Sequence, residues 1–211
     1  SGIAVTPDGS KVYVADTYGL DFVIDTTTNT VIAANIEDEG LSFGIAVHPD
    51  GTKIYIANLE SMIEVIDTAT NTTIATIPLA GDGGGWTVAI HPDGSTVYAT
   101  FEGYTPTANA VYVINTATNQ VVDTIPVEGV GGIAVHPNGS KVYVTNSESD
   151  TVSVIDTFKN SVIKTIPVGS KPAAFGNFIG PLVIYGANAF DRHSVIEINL
   201  TANSSRKIDD L

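Results

Sequence analysis

The sequence has no cysteine, one methionine, one tryptophan and only nine lysines and arginines in 211 residues. The missing cysteines exclude disulfides, thiolate metal sites and cysteine nucleophiles together, without fixing the compartment. The scarcity of positive charge matters more, because 23 Asp and Glu residues leave a formal net charge of −14. Such a field repels phosphate, which excludes non-specific nucleic-acid binding, and it disfavours anionic lipid surfaces. No apolar run approaches the roughly 20 residues that a membrane-spanning helix needs, so no membrane insertion is expected. Helical periodicity with caps is also missing, which excludes a βα solenoid. No signal peptide is present and the first residues already read as a strand. Either a leader has been removed or the sequence starts inside a longer chain.

What is abundant is repetition. Apolar residues make up 43 % of the chain, and a domain of this length buries roughly 70 % of its unfolded surface without staples. The segment from Gly2 to Asp16 (GIAVTPDGSKVYVAD) returns from Gly44 to Asn58, from Thr87 to Thr100 and from Gly132 to Asn146. Its prolines stand at 7, 49, 92 and 137, a spacing of 42 to 45 residues. A second motif follows each time, as in EVIDTATNTTIATIPL, and a fifth, degenerate copy starts near Ala174. The β-branched and aromatic runs bounded by Pro-Asp-Gly and Asp-Thr-x-x-Asn turns make each copy a four-stranded antiparallel meander. Small Gly and Ala suit the strand beside a central axis, and the proline of TIPV suits a sheet edge. The first strand is therefore expected innermost and the fourth outermost. A lone sheet leaves both faces bare, so the copies must stack on one another. The expectation is an all-β β-propeller of about five blades, at approximately 2–43, 44–85, 86–131, 132–173 and 174–211. It is either a closed five-bladed ring or part of a larger, seven-bladed propeller.

The strings KVYVTN at 141–146, TVSVIDT at 151–157 and KTIPVG at 164–169 resemble the YVTN β-propeller repeat family. Tyr143-Val144-Thr145-Asn146 is that signature itself, and Tyr55-Ile56-Ala57-Asn58 is a close variant, whereas Tyr98-Ala99-Thr100-Phe101 departs at its last position. The resemblance covers residues 2 to about 180. It implies the propeller fold and an extracellular or cell-surface setting, as in archaeal surface-layer proteins.

Few residues break the repeat, and those are the candidates for function. His48, His91 and His136 share one turn position, where a bond to neighbouring backbone explains them without a metal ring. His193, beside Asp191 and Arg192, is a lone histidine in a loop and no catalytic pair. Glu37, Asp38 and Glu39 are adjacent loop acids whose hard oxygens suit calcium better than acid–base work, with a solvated loop as the plain alternative. The run Gly81 to Gly85 lacks the lysine or helix of a phosphate cradle. It either brings backbone close to a ligand or makes a flexible interblade loop. Trp86 stands where other copies have Phe43 and Gly132, which suits core or axis packing. The third copy carries the clearest deviation, an expanded loop from Phe101 to Asn109 with Glu102 and Tyr104. Tyr18 and Glu60 occupy the comparable loops of the first two copies, and these four residues, with Trp86 and His193, are the candidate ligand or partner contacts. Sequons at Asn71, Asn138, Asn199 and Asn203 permit N-glycosylation of an exported protein.

No convergent catalytic set emerges, so the expected role is a non-catalytic scaffold or interaction module for a protein or glycan at the cell surface, without a required cofactor. Two alternatives stay open. One is a propeller enzyme, lactonase-like or resembling the streptogramin-inactivating lyases. The other is a subunit that docks a basic redox partner, through an acidic surface sensitive to salt.

Overall fold

The computed structural model describes residues 2–16, 21–36, 41–105, 108–173, 183–188, 194–199 and 204–209. Among the described residues, twenty strands form five separate four-stranded antiparallel sheets, each in simple sequential order. The first sheet holds β1 (Ile3–Val5), β2 (Lys11–Val14), β3 (Asp21–Asp25) and β4 (Thr30–Ile36). The second holds β5 (Ser42–Val47), β6 (Lys53–Asn58), β7 (Met62–Asp67) and β8 (Thr72–Pro78). The third runs through β9 (Gly83–Ile90), β10 (Thr96–Gly103), β11 (Ala110–Asn115) and β12 (Gln120–Pro126). The fourth comprises β13 (Ile133–Val135), β14 (Lys141–Asn146), β15 (Thr151–Asp156) and β16 (Ser161–Pro167). The fifth comprises β17 (Pro172–Ala173), β18 (Val183–Asn188), β19 (Ser194–Asn199) and β20 (Ser204–Asp209).

The turns explain why each repeat folds this way. After β1, β5, β9 and β13 the chain reverses through a glycine with positive φ, at Gly9, Gly51, Gly94 and Gly139. The preceding Asp or Asn caps that turn, as when Asp50 Oδ1 accepts the Thr52 N–H at 2.8 Å. At the same end of each of the first four sheets the third strand closes on Asp25, Asp67, Asn115 or Asp156, whose Oδ1 accepts two successive backbone N–H groups. Asn29, Asn71, Asn119 and Asn160 then take the left-handed conformation that asparagine tolerates. The recurring aspartates are thus backbone caps, as the repetition suggested.

The sheets converge on their first strands and diverge at their fourth. β1 packs on β5, β5 on β9 and β9 on β13, and the fourth sheet continues to the fifth through β14 and β17. The fourth strands are largely exposed, and β8, β12 and β16 each end on proline at the outer edge. This is the radial order read from residue size, and the architecture is that of a β-propeller. Between sheets the core is aliphatic, with Ile63, Val65, Val97, Ile114, Val142 and Val144 fully buried. Among the described residues, no strand of the first sheet packs extensively on a strand of the fifth. Closure of the five sheets into a ring through such a contact is therefore not what the described residues show.

Candidate interaction face

The two ends of the sheets differ chemically. One end carries the capped turns and a set of links between neighbouring sheets. His48 Nε2–H donates to the Gly94 carbonyl of the next sheet at 2.8 Å, and His91 Nε2–H to that of Gly139 at 2.9 Å. Nδ1 of each ring lies against its own turn carboxylate, 2.6 Å from Asp50 and 2.7 Å from Asp93. His136 Nδ1 pairs with Asn138 Oδ1 at 2.7 Å. A Cβ on Gly94 would sit 2.7 Å from the His48 ring, so only glycine admits the contact. The bond to backbone foreseen for these histidines is thus, for His48 and His91, a bond across the seam between sheets. Lys11 and Lys53 reinforce it by donating to Thr68 and Thr116 carbonyls of the following sheet. The Tyr13 hydroxyl donates to Asn71 Oδ1 at 2.7 Å, so one predicted sequon asparagine serves the seam. Burial, aided by the Asp67 charge, pushes the Tyr13 phenol up to about 12.

Sequence reasoning missed the lysine and tyrosine links. The signal was there in Lys11, Lys53 and Lys141, which recur at one repeat position although the chain has so few cations.

The opposite end carries the loops between second and third strands and the connections between sheets. Here the described residues include Asp16, Glu60, Asp82, Glu128, Glu148 and Asp150 against one cation, Lys171. The loop after β10 is longer than those of the second and fourth sheets: six residues separate β10 from β11, as they do β2 from β3, against three between β6 and β7 and four between β14 and β15. Tyr104 stands at its start with 85 % of its surface exposed. Its N–H donates to the Asp82 carbonyl at 3.1 Å, which ties the loop base to the connection between sheets. Glu60 is exposed on the neighbouring loop, its N–H held by Asn58 Oδ1 at 3.1 Å.

Trp86 and Glu102 meet beside that loop. Trp86 lies on β9 and packs on Phe43 of the second sheet, with ring centroids 5.0 Å apart and planes at 47°. The Glu102 carboxylate accepts a hydrogen bond from the Trp86 side chain. Its pKa is nonetheless raised, chiefly because partial burial disfavours the charge and secondarily because the Glu148 charge is near. Phe43 and Glu148 were not singled out in the sequence, because neither breaks its own repeat. In the fourth sheet the register matches Ile133 to Val144 as it matches Val88 to Ala99, so the counterpart of Trp86 is Gly131 and not Gly132.

Gly83, Gly84 and Gly85 belong to strand β9, not to a flexible loop. A Cβ on Gly83 would meet the Glu102 carbonyl oxygen at 2.0 Å, and one on Gly84 the Leu59 side chain at 2.6 Å. The glycine run is therefore a packing requirement between strands and between sheets. Tyr18, Glu37, Asp38, Glu39 and His193 lie outside the described residues.

A concavity lies on the axis, about 550 Å³ in volume and walled by the first strands of four sheets. Its lining side chains are all apolar, including Ile45, Val47, Ile90, Val135 and the turn prolines Pro49 and Pro92, with backbone groups between them. Such a wall supplies no acid, base or nucleophile. Among the described residues no group of three His, Asp or Glu side chains is placed to hold a metal ion. No helix among them is long and apolar enough to cross a membrane.

No family model matches the sequence, and no curated protein matches it either. By structure the chain is similar to a chain of Kuenenia stuttgartiensis hydrazine synthase, with a TM-score of 0.82 at 19 % sequence identity. That likeness covers 99 % of this chain and 65 % of the other, so the chain spans somewhat less than two thirds of its neighbour's length. At this identity the likeness establishes the fold alone, and that fold is the β-propeller.

Proposed function

We propose that this propeller is a non-catalytic interaction module whose binding face is the acidic end that carries Glu60, Trp86, Glu102 and Tyr104. The observation that carries the reading is Tyr104. An aromatic side chain 85 % exposed, on a six-residue loop tied at its base to the connection between sheets, is a contact surface held on a rigid support. Trp86 and the partly buried Glu102 beside it add an aromatic and a polar anchor. The apolar side chains of the axial cavity and the commitment of His48 and His91 to seams argue against hydrolase or lyase chemistry in the described part of the chain. The resemblance to YVTN repeats supports a place at the cell surface or outside the cell, with a protein or glycan as partner. No cofactor is required; a calcium ion on Glu37, Asp38 and Glu39 would serve only to order their loop.

A second reading, a subunit docked on an enzyme or redox protein, is favoured by two observations. These are the shared fold with a hydrazine synthase chain and the acidic loops, which would attract a basic surface. Screening the protein against arrayed glycans and against acidic, neutral and basic peptides separates the two readings. Tyr104→Ala should weaken the selected interaction about fivefold or more while changing stability by less than about 0.5 kcal/mol. Binding unchanged in Tyr104→Ala and in Glu102→Gln would remove this face from consideration. Affinity confined to basic peptides and lost at high salt would select the second reading.

A further inference from the structure

The seams between sheets have a direction, and the first sheet leaves its receiving side uncovered. The first sheet reaches forward with Lys11 and Tyr13 of its second strand, the second with Lys53 and the turn histidine His48, and the third with the turn histidine His91. The receiving groups are the glycine carbonyl of the next sheet's first turn, and the threonine carbonyl and asparagine side chain of its second turn. The first sheet offers the same set in Gly9, Thr26 and Asn29. Gly9 has φ 74° against 79° for Gly94, and Asn29 has φ 55° against 56° for Asn71.

The side chains around these acceptors tell the same story. Ile54, Ile56 and Ile66 of the second sheet, and Val142, Val144 and Ile155 of the fourth, are at most 1 % exposed on the face toward the preceding sheet. Their counterparts Val12, Val14 and Ile24 are only partly buried, while Tyr13 and Val23, which face the second sheet, are buried. Ile3 and Val5 are 67 % and 55 % exposed, whereas Ile133 and Val135 at the same positions are at 4 % and 8 %. A Cβ on Gly9 meets nothing within 4 Å, although one on Gly94 or Gly139 runs into a histidine ring. The first sheet is thus buried on one face only.

We propose that this flank is a docking surface for a further repeat unit of the same polypeptide, one that presents a turn histidine and second-strand Lys and Tyr to Gly9, Thr26 and Asn29. The established seams supply the template: the glycine carbonyl receives a histidine in two of them, the threonine carbonyl a lysine in two and the asparagine a tyrosine in one, beside aliphatic faces that are fully buried in the second and fourth sheets. The fifth sheet is a poor occupant. It has no histidine between 174 and 182, and its second strand begins with Val183 where the fourth sheet has Lys141. A second copy set flank to flank would oppose acceptors to acceptors.

The absence of native cysteine provides a clean probe. Val5→Cys is labelled with a maleimide in the chain as it stands, and again in a protein with residues 131–170 copied ahead of Ser1. That join keeps five residues between the outer and inner strands, within the four to six of the native connections. The copied unit should slow labelling about tenfold or more. His136→Ala with Lys141→Ala inside the copy should return much of the lost rate while the added strand signal in circular dichroism persists. Equal labelling with and without a folded copy overturns the proposal. So does protection of the unextended chain that grows with protein concentration, which would seat a second molecule instead. Should the fourth-sheet copy add no strand signal, residues 41–81 replace it, with the same protection required; failure of both copies to fold also overturns the proposal.

Discussion

Replacing Gly94 by alanine tests whether the histidine seam holds neighbouring sheets together. Gly94 has φ 79°, which costs an L side chain about 1–2 kcal/mol. Its new Cβ would also lie 2.7 Å from the His48 ring, so the ring must leave and its hydrogen bond to the Gly94 carbonyl, at 2.8 Å, is lost. A bond of this kind contributes about 1 kcal/mol, which brings the expected total to about 2–3 kcal/mol. Gly9→Ala is the internal control, because φ is 74° there and nothing lies within 4 Å of the added carbon. It should cost only the backbone share, about 1–2 kcal/mol. In a His48→Ala background, Gly94→Ala should likewise fall to that share, giving a coupling of about 1 kcal/mol between the two positions. Urea unfolding followed by circular dichroism measures all four proteins. Equal costs for Gly9→Ala and Gly94→Ala, or additivity with His48→Ala, would refute the reasoning.

Two further outcomes follow from the same turns and seams. The carboxyls of Asp8, Asp50 and Asp93 are held down to about 2, chiefly by the Thr6 hydroxyl, the Thr52 N–H and the Ser95 hydroxyl respectively. A depressed folded value means their contribution is present above the ordinary carboxylate range, about 3.9, and is lost as pH falls through 2. The melting temperature should therefore drop between pH 4 and pH 2, and Asp50→Asn with Asp93→Asn should flatten that slope; an unchanged slope counts against the caps. Tyr13→Phe removes a bond to Asn71 and should cost about 1 kcal/mol. Tyr55→Phe should cost nothing measurable by urea unfolding, because the buried Tyr55 hydroxyl and its repeat counterpart partner Asn119 Oδ1 are both without a hydrogen-bond partner. Similar losses in the two variants would contradict the seam assignment.

The sequence by itself determined the strand order, the turn chemistry and the radial arrangement. Each is local: a Pro-Asp-Gly turn, an aspartate followed by two free N–H groups, a proline at a strand end. Repetition then made those local signals unmistakable. It also showed which residues break the pattern, and Tyr104 and Glu102 were found that way. What only the tertiary structure decided is everything that depends on the next sheet. That His48 bonds Gly94, forty-six residues on, or that Trp86 reaches both Phe43 and Glu102, follows from how sheets stack and not from spacing within a repeat. The one-sided burial of the first sheet is of this kind as well. Val14 and Val144 are the same residue in the same motif, and the difference between them is whether another sheet covers it.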